Sequence, residues 1–313
     1  MIIGSVFTFA IILGLLGAIA EIIRQQMLPP EQKYNGPRPP KIDVDDTVVD
    51  AKTLGATPIE VERILRKRFP YYNSLNTFQQ VRFVARTVRF IQHKLFIIKS
   101  SEGFREMPVL ASAAAIQLTF GLDDYLLPWF RYIQIYPQEF VSHHSLRIIV
   151  GNVSNHTITI AWNHLLKGYE DGDDGSNVAL HEMSHALYFQ KLEVEKLDAL
   201  TFCNLYHELI AHCKLPYQFE MSGKTGLYTD YGCSNMQEFW AESIELFFEK
   251  SIELRRAYPK LYAALVALLN QDPTTKEKVM SESLVVLWHQ FLGMIWRWQR
   301  KLRGYEVTPD VGW

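Results

Sequence analysis

The feature that most constrains this chain is an H-E-x-x-H motif inside a run that is almost free of charge. His181, Glu182 and His185 lie in the stretch NVALHEMSHALYFQ at 177–190. Positions i and i+4 of a helix lie one above the other, so both imidazoles leave the same face and can bind one Zn²⁺. The Glu beside the first His can reach a metal-bound water as a general base. The motif therefore predicts a buried helix that carries a catalytic zinc site.

The alternative is a chance motif on a surface helix, because His-Glu pairs at helical spacing often only decorate a surface. A surface helix is normally amphipathic, whereas the residues around this motif are nearly all apolar. Buried ionisable groups need partners, and a metal ion would supply one. Several candidate N-caps precede the predicted helix: Asp171, Asp173, Asp174 and Ser176.

The composition is that of an ordinary globular protein. The chain has 313 residues, of which 48% are hydrophobic and 21% charged, and its formal net charge is −2. No segment is basic enough for nucleic-acid binding, so we expect no nucleic-acid partner. Three cysteines (Cys203, Cys213 and Cys233) form no C-x-x-C pair and indicate free thiols in a reducing compartment.

An uncharged apolar segment opens the chain. Residues 1–20 contain no charged side chain, and twenty helical residues span roughly the 30 Å hydrocarbon core of a bilayer. Basic residues at 24, 33, 38 and 41 all follow this segment, which by the positive-inside rule places the bulk of the chain in the cytoplasm. A cleaved signal peptide is the alternative, because Ala18-Ile19-Ala20 resembles an A-x-A cleavage site. We expect a single-pass, membrane-anchored protein whose catalytic domain faces the cytoplasm.

We divide the chain into three parts. Residues 1–24 form a transmembrane anchor, residues 25–52 a Pro-rich tether, and residues 53–313 the catalytic domain. Prolines at 29, 30, 37, 39 and 40 stiffen the tether. The last predicted helix, 281–302, carries Trp288, Trp296 and Trp298; it could pack as core, lie against the membrane or bind a partner.

Periodicity predicts helices first and strands afterwards. Thr57-Pro58 begins a helix that runs through residue 68, and further helices are predicted at 78–97 and 109–120. Alternating and β-branched residues predict strands at 132–136, 146–150 and 157–162. We therefore expect an α+β fold that is mostly helical, with a small sheet beside the metal helix. An edge of that sheet could pair with an extended peptide, or the sheet could simply pack on the helix.

A catalytic zinc site needs a third protein ligand and an open fourth position. His207 and His212 are five residues apart, which places them about 140° apart around a helix. They therefore cannot share a metal as the first pair does, and we expect them to be structural or surface residues.

Three carboxylates on a later apolar helix are the better candidates for that third ligand. Glu238, Glu242 and Glu245 lie on roughly one face, where like charges repel unless a cation is near. The alternative for Glu238 is a capping box with Asn235, and the alternative for Glu245 is a solvated face.

Several stretches together resemble the Mlc titration factor A family of zinc-dependent peptidases. Besides Trp162, they are FPYYNSLNTFQQVRF at 69–83, VLASAAAIQLTFGLDDY at 109–125, IQIYPQEF at 133–140, DGSNVALHEMSHAL at 174–187, EFWAESIELFFE at 238–249 and YPKLYAALVALLNQDP at 258–273. That family is gluzincin-like and is similar in its catalytic core to the anthrax lethal factor metalloprotease domain. The resemblance implies a zincin-like zinc peptidase domain over 53–313 and leaves the N-terminal segment outside it.

The resemblance also implies a role for each matching residue. His181, His185 and Glu238 would be the zinc ligands, and Glu182 the general base. The family places a Tyr seven residues before the ligand Glu, and Tyr231 matches it and would stabilise the oxyanion. Peptide hydrolysis would use a zinc-activated water that gives its proton to Glu182 and attacks the carbonyl.

The chain also departs from the family. Ser184 stands where members favour Ala, and Leu187 and Tyr188 stand where an Asp is common. Glu242 or Glu245 could orient a ligand His through its second nitrogen. The predicted anchor is absent from the soluble member for which the family is named. The family's partner, a glucose-responsive transcriptional repressor, need not be a partner here.

We therefore predict a zinc-dependent metallopeptidase acting on peptide or protein substrates, with aminopeptidase-like and regulatory action implied by the family. The main alternative is a regulatory binding protein that sequesters a transcriptional regulator or another cytoplasmic partner, with weak or latent peptidase activity. In that case metal-site variants would keep partner binding. A structural zinc site is a third hypothesis, which would require four protein ligands.

Overall fold

The computed structural model describes residues 40–101, 105–142, 146–195, 200–223 and 226–275. The predicted anchor at 1–24 and the predicted last helix at 281–302, with its three Trp residues, lie outside the described residues. Within the part of the chain that is described, no helix is long and apolar enough to cross a membrane.

A five-stranded mixed sheet has the strand order β1-β2-β3-β7-β6. Its strands are β1 (Thr47–Val49), β2 (Leu95–Ile98), β3 (Tyr132–Tyr136), β6 (Gly151–Ser154) and β7 (Thr157–Ala161). The three central strands β2, β3 and β7 run parallel, while β1 and β6 lie antiparallel at the two edges. A separate two-stranded hairpin pairs β4 (Phe140–Val141) with β5 (Ile148–Ile149).

Helices precede, interrupt and follow this sheet. They are α1 (Ala51–Leu54), α2 (Pro58–Arg68), α3 (Pro70–Ser74), α4 (Thr77–Gln92), α5 (Glu106–Thr119), α6 (Trp162–Glu170), α7 (Val178–Tyr188), α8 (Leu200–Met221), α9 (Met236–Glu249), α10 (Ser251–Ala257) and α11 (Pro259–Leu269). A π-helical segment, Phe189–Val194, continues α7 directly.

The metal helix α7 lies at the centre of the packing. It packs against α9, α5 and strands β6 and β7. Almost all of α5 is buried, because its alanines leave room for close packing on every side. All five residues of β7 are buried, so its Thr-Ile alternation does not mark a solvated face. This packing holds α7 between an edge of the sheet and the helix that carries the three carboxylates.

The predicted fold class is confirmed: the structure is α+β with a small sheet. Helix α2 begins at Pro58, and the Thr57 side chain accepts a hydrogen bond from the Glu60 N–H, as the sequence predicts. Strand β3 matches its predicted bounds, and α5 covers most of the helix predicted at 109–120.

Three predicted elements have wrong bounds. The helix predicted at 78–97 ends at Gln92, and Leu95–Ile98 instead pairs in parallel with β3, because a short apolar run suits a helix and a buried strand equally. The strand predicted at 146–150 is shorter in the structure and covers only Ile148–Ile149. The sequence does not predict the strand that begins at Gly151. The strand predicted at 157–162 ends one residue early, because Trp162 begins α6.

One further strand forms within the predicted tether. Thr47–Val49 pairs with β2 at the edge of the sheet. Three residues are too few to show a strand period in a sequence, so this pairing depends on the long-range partner.

Candidate metal centre

Three side chains meet between α7 and α9. His181 and His185 leave the same face of α7, and their Nε2 atoms lie 3.2 Å apart. The Oε2 atom of Glu238, in the first turn of α9, lies 3.0 Å from the Nε2 of His181 and 3.4 Å from that of His185. The structure thus brings together the three residues predicted as ligands, in a group that could hold a metal ion.

The N-cap of α7 differs from the predicted candidates. Helix α7 begins at Val178, and the Asn177 side chain accepts a hydrogen bond from the Leu180 N–H at 3.1 Å. The sequence predicts other N-cap residues, and none of them is the cap: Asp171, Asp173, Asp174 and Ser176. Asn177 is the last non-helical residue, which is where an N-cap must stand.

Helix α9 is capped by Asn235, whose side chain accepts hydrogen bonds from the Gln237 and Glu238 N–H groups. This is one half of the capping box considered as an alternative for Glu238. The Glu238 carboxylate itself contacts His181 and His185. The cap therefore fixes the start of the helix, while the Glu238 side chain contributes to the centre.

Glu245, two turns further along α9, contacts the other side of the His181 ring. Its Oε1 lies 2.7 Å from the Nδ1 of His181, and because a carboxylate only accepts, the Nδ1 carries the proton. The other oxygen of Glu245 accepts from the backbone N–H of Asn177. Of the two candidates for orienting a ligand His, Glu245 makes the contact, whereas Glu242 bonds Thr229.

The carboxylates make the centre attract positive charge. Burial lowers the pKa of His181, but hydrogen bonds with Glu238 and Glu245 outweigh burial and raise this pKa from 6.5 to about 10. Burial raises the pKa of Glu238, but its hydrogen bonds with His181 and His185 hold that pKa well below its usual value. Either a proton or a metal ion would satisfy this arrangement.

Glu182 lies beside the centre and is buried, with 6% of its surface exposed. Burial raises the pKa of Glu182 from 4.5 to about 7, although positive charge on His181 and His185 acts to lower it. Its carboxylate lies against the backbone of Gly151 in β6: a Cβ at residue 151 would lie 2.3 Å from the Oε1 of Glu182. The absent side chain at Gly151 therefore makes room for the Glu182 carboxylate.

Tyr231 lies on the solvent side of the centre. Its ring centroid is 6.2 Å from that of His181, and 63% of the residue is exposed. Partial burial raises the pKa of the Tyr231 hydroxyl to about 12, and the negative charges of Glu238 and Glu182 add to the rise. The phenol is therefore protonated at neutral pH and is available as a hydrogen-bond donor.

The remaining candidates stay away from the centre. His207 and His212 are both exposed on α8, which confirms that they are surface residues. All three cysteines are free thiols, also as predicted. Ser184, the departure inside the motif, donates a hydrogen bond to the carbonyl of His181 and stays within its own helix.

Comparison with known proteins identifies the family. Residues 49–269 match the family described as glucose-regulated metallo-peptidase M90. This chain belongs to that family. It is also similar to the uncharacterized protein slr2042 of Synechocystis sp. (strain ATCC 27184 / PCC 6803 / Kazusa), with 27% identity over 228 residues, which is 66% of this chain and 82% of that protein.

Membership of the M90 metallopeptidases agrees with the His-His-Glu group as a place for a metal ion. Two residues that shape this candidate centre are not predicted from the sequence. Asn177 stands directly before the helix but is not among the N-caps that the sequence predicts. Gly151 has no recognisable signal in the sequence, because its importance depends on Glu182, 31 positions later in the chain.

Proposed function

We propose that this M90 member is a zinc-dependent metallopeptidase of the H-E-x-x-H plus Glu type. The observation that carries the proposal is the triangle of donor atoms formed by His181, His185 and Glu238, with separations of 3.0, 3.2 and 3.4 Å. These three residues would be the zinc ligands.

The donor set fits zinc in chemistry and in spacing. Tetrahedral zinc with ligand bonds of about 2.1 Å separates its donor atoms by about 3.4 Å, close to the distances above. Two imidazoles and one carboxylate are typical of catalytic zinc and leave a fourth position for water or substrate. Bound there, zinc would act as a Lewis acid that makes a water molecule more acidic and polarises a peptide carbonyl.

Glu182 would be the general base. It is next to the first ligand in the chain and its carboxylate is buried beside the centre, with no role as a ligand in the triangle. It would accept the proton of the attacking water and later deliver a proton to the leaving amine.

Tyr231 would stabilise the oxyanion. Its hydroxyl is protonated at neutral pH, its ring lies 6.2 Å from the ring of His181, and a substrate can reach it because the residue is largely exposed. A hydrogen bond from this phenol would strengthen as negative charge develops on the carbonyl oxygen of the scissile bond.

Strand β6 would hold the substrate backbone. Among the described residues it pairs with β7 alone, so its other side can accept an extended peptide by edge addition. Contact between Gly151 and Glu182 places this edge directly beside the proposed base. Short peptides in extended conformation are therefore the first substrates to test, including free N-termini for aminopeptidase-like cleavage.

The cellular setting remains a prediction from the sequence. We propose a single-pass anchor at 1–24 with a cytoplasmic catalytic domain, and a cytoplasmic regulator as a protein partner. The uncharged segment at 1–20 and the basic residues that follow it support this topology.

The test is to measure metal content and peptide hydrolysis on the full chain, in wild type, His185→Ala and His207→Ala. We expect about one zinc per wild-type chain and hydrolysis that a chelator abolishes. His185→Ala should lose both zinc and activity, whereas His207→Ala, an exposed helical His outside the centre, should keep both.

Two outcomes would count against the proposal. Absence of zinc after metal-replete purification would refute the metal site. Zinc in the wild type without hydrolysis of any peptide would support a regulatory binding protein instead.

A further inference from the structure

One carboxylate of α9 forms hydrogen bonds with the turn that contains Tyr231. Glu242 accepts two hydrogen bonds from Thr229: one from the backbone N–H at 2.7 Å and one from the hydroxyl at 3.0 Å. The Thr229 hydroxyl in turn accepts from the Gly232 N–H at 3.1 Å. Thr229 and Glu242 together are called the Thr229–Glu242 clamp below.

Hydrogen bonds to Thr229 and Cys233 close the turn that contains Tyr231. The Thr229 carbonyl accepts from the Cys233 N–H at 3.0 Å, which closes the turn around Asp230, Tyr231 and Gly232. The Tyr217 hydroxyl adds a hydrogen bond to the Cys233 carbonyl. The side chain of Tyr231 itself is mostly exposed, so the backbone of its turn has to determine where the hydroxyl lies.

Gly232 is a structural requirement of this clamp. A Cβ at residue 232 would lie only 1.5 Å from the Oε2 of Glu242, the atom that accepts from the Thr229 hydroxyl. Any larger residue would force the carboxylate away from Thr229. The turn can therefore approach α9 this closely only with glycine at this position.

Three carboxylates on helix α9 thus make three different contacts in and around the centre. Glu238 contacts both His residues, Glu242 holds the Tyr231 turn, and Glu245 contacts His181. We propose that Thr229 and Glu242 are positioning residues that set the location of the Tyr231 hydroxyl relative to the ligand atoms. This inference rests on the proposed role of Tyr231 in the function above.

A double-mutant comparison distinguishes a clamp that positions Tyr231 from one that only stabilises the fold. It asks whether the loss of activity on breaking the clamp depends on the Tyr231 hydroxyl. If the clamp acts through the Tyr231 hydroxyl, breaking it should cost little once that hydroxyl has been removed. If it only stabilises the fold, the two losses should be independent and should multiply.

The variants are Thr229→Val, which removes the hydroxyl at nearly constant shape, and Thr229→Ser, which keeps it. Each is made on the full chain in the wild-type and Tyr231→Phe backgrounds. Thr229→Val still retains the backbone hydrogen bond to Glu242. Gly232→Ala should disturb the clamp from its other side, because it displaces Glu242 and leaves Thr229 intact.

We expect Thr229→Val to lower kcat by about tenfold or more with little change in KM, since a misplaced group loses transition-state contacts. Thr229→Ser should remain within about twofold of wild type. In the Tyr231→Phe background, Thr229→Val should change kcat by less than about twofold. Equal losses in both backgrounds would overturn the proposal.

Amide hydrogen exchange of the metal-free protein tests the clamp without substrate. The amide of Cys233 should exchange faster in both Thr229→Val and Gly232→Ala, and the amide of Gly232 should exchange faster in Thr229→Val. Both amides should exchange at the wild-type rate in Thr229→Ser. Unchanged exchange in both breaking variants would refute the clamp. Wild-type activity in Tyr231→Phe would instead refute the proposed role of Tyr231, so the two failures can be told apart.

Discussion

Glu245 accepts a hydrogen bond from the Nδ1 of His181 at 2.7 Å, while its second oxygen accepts from the backbone N–H of Asn177. One carboxylate on α9 therefore orients a ring of the metal centre and also holds the N-terminus of the helix that carries the ring. With its Nδ1 protonated, His181 presents an unprotonated Nε2 to the centre when a metal ion is bound.

Replacement of Glu245 should weaken metal binding. We expect Glu245→Ala to lower zinc affinity by about 10- to 100-fold, because His181 loses the partner that fixes its orientation. Glu245→Gln keeps an oxygen acceptor and should lose much less. Competition with a chromogenic chelator measures both, with exposed Glu253→Ala as a control. Unchanged zinc affinity in Glu245→Ala would show that the contact does not support the ligand.

A methyl group on β6 should displace Glu182. The Cβ introduced by Gly151→Ala would lie 2.3 Å from the Oε1 of Glu182, so the carboxylate has to move. We expect kcat to fall by about tenfold or more while zinc content stays the same, since Glu182 is not a proposed ligand. Gly172→Ala is the matched control, because a Cβ there meets nothing within 4 Å. Wild-type kcat in Gly151→Ala would contradict this account of the base.

Glu249 should make stability depend on pH. Its Oε1 accepts a hydrogen bond from the Asn177 side chain, whereas its Oε2 is buried without a partner among the described residues. Burial is the main cause of a pKa raised from 4.5 to about 8. Since the folded pKa exceeds the unfolded one, the native state retains the proton longer, and stability falls as pH rises from about 4.5 to 8.

Glu249→Gln should remove this pH effect. The amide keeps the acceptor for Asn177 and carries no charge, so the free energy of unfolding should rise by about 1–3 kcal/mol at pH 8 and change little near pH 4.5. Urea unfolding at the two pH values measures the difference, with Glu253→Gln as the exposed control. A gain of the same size at both pH values would mean that ionisation of Glu249 is not the cause.

Local patterns in the sequence predicted the parts of the fold that local physics determines. Thr57-Pro58 specifies a helix start through a cap and a fixed φ angle, and both appear as expected. The run at Leu95–Ile98 could not be assigned in the same way, because its strand exists only through pairing with β3, which lies 37 positions later. Strand Thr47–Val49 depends in turn on that strand.

The same distinction between local patterns and long-range contacts applies to the candidate site. Helical spacing was enough to place His181 and His185 on one face, and the structure has them so. Spacing left Glu238, Glu242 and Glu245 as candidates for the third ligand. The resemblance to a known family singled out Glu238 among them and pointed to Tyr231. The roles of Glu242 and Glu245 stayed open, because both face the same way on α9 and only the neighbouring turn and helix separate their partners.

The most direct test of the proposed function compares the full wild-type chain with Glu182→Gln for zinc content and peptide hydrolysis. Glutamine has nearly the same shape and cannot accept the proton, while the three proposed ligands are untouched. We predict about one zinc per chain in both proteins and a loss of at least about a hundredfold in kcat for Glu182→Gln. Hydrolysis by Glu182→Gln at the wild-type rate, with zinc bound, would contradict the assignment of the base and the mechanism built on it.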